Sequence, residues 1–322
     1  MVDLLKSGST LLFGLFLGSF AGATVWRLRA RQLRGDDKRL VELRTKKQLT
    51  DEDRLEKSLL SSESAQRKKE RHQLDKLIAP LAHDRSRCLG CGHALAWYDL
   101  VPLVSWFSTG GKCRYCHKKI GWLEPSIELG TALLFGLTSY WWVAAQAGQP
   151  LAVLVLWLVI VVGLVILFVY DLKWFLLPDN IVLPLIGLAA LVAGQYVITT
   201  PDKLAAVVEL AFSLVIMSGL YAAVYYYSRW RYGEANTWIG FGDVKLGLVL
   251  GLLLGRWELA FLALFLANVI GLIAIAPALI RGKAGLKTHI PFGPLLILGF
   301  FGALFWGHVI IDWYMKLTLL AV

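Results

Sequence analysis

Residues 151–179 read LAVLVLWLVIVVGLVILFVYDLKWFLLPD. The first twenty are apolar without interruption, the length a helix needs to cross a hydrocarbon layer of about 30 Å. A helix that is hydrophobic all round is either buried in a large core or spans a membrane. This run ends abruptly on Asp171, with Pro178 and Asp179 close behind. The stretch therefore predicts a membrane span with a carboxylate at its end.

Working outward, the 322 residues are 57% hydrophobic and 17% charged, against roughly 45–50% and 25% for soluble domains. That composition excludes a disordered, fibrous or disulfide-scaffold chain and argues against an ordinary soluble domain. Eight apolar blocks follow one another, at about 8–27, 126–145, 151–170, 180–198, 204–227, 240–255, 258–280 and 291–314. The block at 240–255 is the weakest, being Gly-rich and carrying Asp243 and Lys245. In the first block the Arg residues follow the apolar run, so it reads as a retained span and not a cleaved signal. The fold class expected is an all-α polytopic membrane protein of about eight transmembrane helices. Residues 1–28 form the first span, 29–87 a charged helical insert, 88–125 a four-cysteine region and 126–322 a seven-span core.

Charge sets the expected orientation. The formal net charge is +10, and residues 27–87 alone hold 18 Lys or Arg against 11 Asp or Glu. With the N-terminus outside, 29 of the 33 basic residues fall on the cytoplasmic segments, as the positive-inside rule requires. Asp171 and Asp243 then lie at the cytoplasmic ends of the third and sixth spans, at similar depth. Carboxylates in such positions are costly and by default mark a functional site.

Cys88, Cys91, Cys113 and Cys116 form two C-x2-C knuckles separated by 21 residues. The spacing suits a tetrahedral structural zinc site of four thiolates, and a reducing cytoplasm disfavours disulfides. Four thiolates leave no open position for a catalytic water. His93 and His117, beside the knuckles, read as solvated. A second site is expected from Asp171, from Pro178-Asp179, and from Gly240-Phe241-Gly242-Asp243-Val244-Lys245. Two carboxylates held close do not readily both ionise. One can then act as general base on water while the other polarises a peptide carbonyl. Glycines before Asp243 admit an extended peptide backbone. Pro178 is expected to end a helix, and Asp179 to cap the fourth span. Asp99 also sits in a Tyr-Asp-Leu triplet, so that triplet alone carries little.

These residues resemble the type IV prepilin peptidase family, bacterial inner-membrane aspartic proteases of the GxGD type. Gly18-Ser19-Phe20 and Arg27-Leu28 resemble its opening span; Pro102, Ser105-Trp106 and Gly111-Lys112-Cys113 its inter-cysteine segment; Pro125 and Glu128 the start of its next span. Asp171 through Asp179 to Pro184, Gly240 through Leu246, and Ile290-Pro291-Phe292-Gly293-Pro294 are similar to its later motifs. The chain departs from the family pattern at Gly22, Leu100, Leu123-Glu124 and Thr237. The resemblance implies cleavage of the basic leader of prepilins or pseudopilins, with Asp171 and Asp243 as the catalytic pair. It also implies, for members with two cysteine pairs, N-methylation of the new amino terminus from S-adenosylmethionine. A signal-peptide-peptidase-like intramembrane protease and a proton-coupled transporter using the paired aspartates are the alternatives.

In the insert, Thr50 and Asp53 predict a capping box. Leucines at 40, 43, 55, 59, 60, 74, 77 and 81 recur at helical spacing, predicting two or three amphipathic helices ending near Pro80. The insert is either a solvated arm or a contact for anionic lipid headgroups. No nucleic-acid partner is expected.

Overall fold

The computed structural model describes residues 8–46, 48–61, 65–74, 77, 85–145, 149–233, 237–281 and 290–320. They form two compact units, Leu11–Leu133 and a second made of Leu134–Val322 with Met1–Thr10. Among the described residues the secondary structure is helical, with two isolated β-bridges and no strand.

The first unit opens on α1, Ser9–Thr45, which at 37 residues runs well past its apolar block. Its first half exposes Phe13, Phe16 and Phe20, while its second half is basic and belongs to the insert. Two further insert helices, α2 (Asp51–Ser61) and α3 (Ala65–Leu74), follow. The capping box at the head of α2 forms in both directions. The Thr50 N–H donates to Asp53 Oδ2 at 3.0 Å, and the Asp53 N–H donates to Thr50 Oγ1 at 3.2 Å. Leu74 and Leu77 pack on Ala30 and Leu33 of α1 in a small core, and buried Arg29 pairs with Glu70 at 3.0 Å. Residues 80 and 81 lie outside the described residues. Each cysteine knuckle is a short hairpin closed by one antiparallel bridge, Arg87 with Ala94 and Lys112 with Lys119. A short helix, α4 (Val104–Ser108), lies between the knuckles. Then α5 (Leu123–Ala145) begins. A Cβ on Gly18 would stand 2.7 Å from Glu128 Cα, so α1 and α5 touch backbone to backbone.

Lys46 and the Thr50 N–H hold the Asp53 carboxyl down at about 2. The folded value lies below the ordinary one of about 3.9, so the clamp contributes stability in full above about pH 4. That contribution is lost as the pH falls toward 2. Amide exchange in α2, corrected for its intrinsic pH dependence, should accelerate across that window. In Asp53→Asn the acceleration should vanish.

The second unit holds α6 (Leu151–Trp174), α7 (Asp179–Thr199), α8 (Lys203–Leu214), α9 (Leu220–Tyr232), α10 (Phe241–Leu254), α11 (Trp257–Ile280) and α12 (Phe292–Leu320). A π-turn, Val215–Gly219, joins α8 to α9 into one rod. Each of the eight apolar blocks lies in a helix, and among the described residues six of those helices are long and apolar enough to cross a membrane. They are α1, α6, α7, the α8–α9 rod, α11 and α12.

The weak block at 240–255 forms α10, which has only 14 residues, about 21 Å of helix. It is central to its unit, packed against α7, α8, the π-turn, α9, α11 and α12. Val244, Leu246, Val249, Leu250, Leu253 and Leu254 are all buried, which is why the block is apolar on every side. A Cβ on Gly247 would stand 2.0 Å from the Met217 carbonyl oxygen of the π-turn, a contact only glycine permits. Ser213 and Ser218 donate to the Gly251 and Val244 carbonyls, both at 2.9 Å, pinning the rod to α10.

Candidate functional site

Asp171 lies in the last turn of α6 and is 6% exposed. The helix stops three residues later because Phe175 takes a left-handed conformation (φ 56°) and returns its N–H to the Asp171 carbonyl at 2.8 Å. Pro178 was expected to end a helix; it instead stands at the N-cap position of α7. Proline satisfies a helix start because the N–H it lacks would have no partner there.

Asp243 sits half-buried in the first turn of α10, with Gly240 as N-cap residue. Its N–H donates to the Gly240 carbonyl at 3.1 Å. The two aspartates, 72 positions apart in the chain, come within electrostatic reach of each other. A Cβ on Gly242 would stand 3.0 Å from Leu177 Cβ, so the second glycine of the motif lets the α6–α7 turn close on α10.

Three contacts at the site were not anticipated from the residues themselves. The Gly293 N–H, in the first turn of α12, donates to Asp171 Oδ2 at 3.0 Å. Such N–H groups at a helix start lack an intrahelical acceptor, so the carboxylate satisfies the helix while the helix fixes the carboxylate. Asp179, expected as a cap, is instead the first residue of α7, and Lys245 Nζ donates to its Oδ1 at 2.6 Å. That pair ties the α7 start to α10 just beyond Asp243. Tyr221, 8% exposed, packs at a tilt against Phe292 with ring centroids 5.5 Å apart and lies within electrostatic reach of Asp243.

A Cβ on Gly293 would stand 2.7 Å from Asp171 Oδ2. The obstructing atom is the end of a side chain, so the carboxylate can swing aside while the fold is kept. Gly293→Ala is accordingly expected to cost about 1 kcal/mol or less in stability while lowering about 100-fold any turnover that uses the Asp171 carboxylate. Thermal unfolding and turnover measured on the same preparation check it.

The four cysteines form a separate cluster in the first unit, with all Sγ atoms within 4.8 Å of one another. Cys88 Sγ and Cys116 Sγ are 3.9 Å apart, near the roughly 3.8 Å edge of a tetrahedron with metal–sulfur bonds of about 2.3 Å. Burial raises the Cys113 thiol, but N–H groups of Cys116 and Tyr115 outweigh it and bring the value down to about 7. Burial pushes Cys88 up to about 12. Asp99 braces the cluster, accepting from Arg114 Nε at 3.0 Å, the Tyr115 hydroxyl at 2.9 Å and the Ala96 N–H at 3.2 Å.

Beside the cysteines is a cavity of about 400 Å³ lined by Ser19, Trp26, Trp106, Lys112, Glu124 and Glu128, among others. Trp26 Nε1 donates to Glu124 Oε1 at 3.4 Å, and Glu128 Oε2 accepts the Leu103 N–H at 2.8 Å. Leu103 holds a positive φ of 58°, a costly conformation for a branched residue. The buried Trp106 indole N–H has no acceptor among the described residues.

A family model described as the bacterial peptidase A24 N-terminal domain matches residues 12–142, and one described as the type IV leader peptidase family matches 158–276. Proteins named prepilin leader peptidase/N-methyltransferase are similar to most of the chain. That of Pseudomonas aeruginosa is 33% identical over 239 residues, 72% of this chain and 74% of the relative. That of Stutzerimonas stutzeri is 32% identical over 232 residues, 72% and 75% of the two chains. That of Bacillus subtilis is 29% identical over 243 residues, 76% and 88% of the two chains. No solved structure matches the chain.

Proposed function

Since this chain belongs to the type IV leader peptidase family, we propose that it is a prepilin peptidase of the bacterial inner membrane. It cleaves the basic leader of prepilins or pseudopilins at the cytoplasmic face, with Asp171 and Asp243 as the catalytic pair. The observation that carries this reading is the convergence of those two carboxylates, one held by the Gly293 N–H and the other at the head of a central helix.

One carboxylate takes a proton from water as its oxygen bonds to the peptide carbonyl carbon, and the other gives a proton to the carbonyl oxygen. Collapse of the tetrahedral adduct breaks the C–N bond: the leaving nitrogen takes up the proton first removed from water, and an adduct hydroxyl returns its proton to the second carboxylate. Gly293 and the Lys245–Asp179 pair orient the two acids; Gly240 and Gly242 leave room for the scissile backbone. The 29-to-4 distribution of basic residues supports the cytoplasmic side for both sites. It also favours anionic lipid around the chain.

The relatives' names include N-methyltransferase, and we extend that activity to this chain. The cavity fits the donor: its size suits a nucleoside-sized ligand, its tryptophans suit adenine and a sulfonium cation, and the Trp106 N–H awaits an acceptor. Glu124, Glu128, Trp26 and Trp106 would hold S-adenosylmethionine, which when bound supplies a methyl carbon to the new amino terminus. The four cysteines would hold zinc as a structural ion, close enough to shape the cavity wall that Cys88 and Cys113 share.

Mass spectrometry of a prepilin N-terminus after co-expression tests both activities. A leaderless, methylated terminus is expected; an intact leader refutes the peptidase reading, and a leaderless, unmethylated one refutes the second activity.

A further inference from the structure

The cysteine knuckle carries an exposed aromatic face that neither proposed activity uses. On α4, Val104 and Phe107 are one helical turn apart and are 63% and 65% exposed. Trp106 beside them meets Phe107 edge-on with ring centroids 5.3 Å apart and packs at a tilt against Trp122 at 4.4 Å. Trp122, 70% exposed, immediately precedes α5. The three exposed side chains thus form one patch on a Trp106 backing.

Its depth can be read from α1. The apolar run of α1 ends at Trp26-Arg27, and Phe13, Phe16 and Phe20 on that run are more than half exposed, as lipid-facing residues are. Trp26 is hydrogen-bonded to Glu124, two residues from Trp122. Trp122 therefore lies level with the point where α1 leaves the hydrocarbon, the depth at which Trp and Tyr concentrate in membrane proteins. Residues 85–122 also carry six Lys or Arg and a single acid, Asp99, which is already paired with Arg114. Lys118 and Lys119 stay exposed.

Aromatic side chains at the interface with basic residues beside them are the chemistry of a surface that rests on anionic headgroups. We infer that the Val104–Phe107–Trp122 face seats the cysteine knuckle in the headgroup layer of an anionic bilayer. A pilin segment is the competing occupant, but the leaders the protein is proposed to cut are basic, and residues 85–122 already carry a basic excess. The inference needs α1 to cross the membrane, and only its preference for lipid over a pilin rests on the peptidase reading.

The test uses the full-length protein in nanodiscs of phosphatidylcholine with or without about one third phosphatidylglycerol. A photoreactive benzoylphenylalanine replaces Phe107, or as a control Val41, which lies about 20 Å further along α1. Retained metal content shows that the knuckle is intact in each preparation. Lipid adducts at position 107 should exceed those at 41 at least about 5-fold and should rise with phosphatidylglycerol. Equal adducts at the two positions would overturn the inference. So would adducts to an added prepilin that displace the lipid ones, which would assign the face to substrate. Leader cleavage measured on the same samples reports on the peptidase reading separately.

Discussion

Asp171→Asn and Asp243→Asn should each lower leader cleavage by about 10³-fold or more while the protein stays folded, the scale expected when a general acid or base is removed. Asparagine is nearly isosteric with aspartate, and in Asp171→Asn its amide oxygen can still accept the Gly293 N–H that Oδ2 accepts now. The anchor between α6 and α12 therefore survives. Asp171 is buried and Asp243 half-buried near the ends of apolar helices, where a charged group is costly to keep. Removing the charge should leave thermal stability unchanged or raised as activity disappears. Activity and stability moving in opposite directions separates a catalytic role from a structural one. Wild-type cleavage by either variant would sink the mechanism.

Cys113→Ser is expected to have the opposite profile. Cys113 is the most buried of the four cysteines, at 4% exposed, and its sulfur lies within the cluster. Serine is a poor zinc ligand, and structural zinc sites of this type contribute on the order of 10 kcal/mol to local folding. The variant should retain less than about one tenth of the bound metal by elemental analysis, and residues 85–122 should become sensitive to protease. Donor binding should fall with it, since Cys88 and Cys113 line the cavity; calorimetric titration with S-adenosylhomocysteine measures this without turnover. The aspartate pair lies in the other compact unit, so cleavage should persist. A metal-free wild-type protein with an intact knuckle would refute the zinc assignment.

Much of this was legible in the residues because it rests on short-range rules. Twenty apolar residues before Asp171 announce a membrane helix by length alone. The Cys88-x2-Cys91 and Cys113-x2-Cys116 pairs announce a four-cysteine cluster by local spacing, and Thr50 with Asp53 announces a helix start across three residues. The less clear features depended on packing. The block at 240–255 read as a poor span because it is Gly-rich and carries Asp243 and Lys245; it forms a 14-residue helix wrapped by neighbours, and Gly247 answers a π-turn that no periodicity reveals. Asp179 looked like a cap because it precedes the first residues of the fourth apolar block, yet its partner is Lys245, 66 residues away.

The sequence by itself determined a helical membrane chain, its cysteine cluster and the two aspartates worth pairing, since hydrophobicity, charge and ligand spacing act between near neighbours. Tertiary structure alone decided that the Gly293 N–H grips Asp171 across 122 positions, that Lys245 locks Asp179, and that Trp26 meets Glu124. Those contacts arise only when helices far apart in the chain pack side by side, and no pattern within one helix encodes which neighbour it will meet.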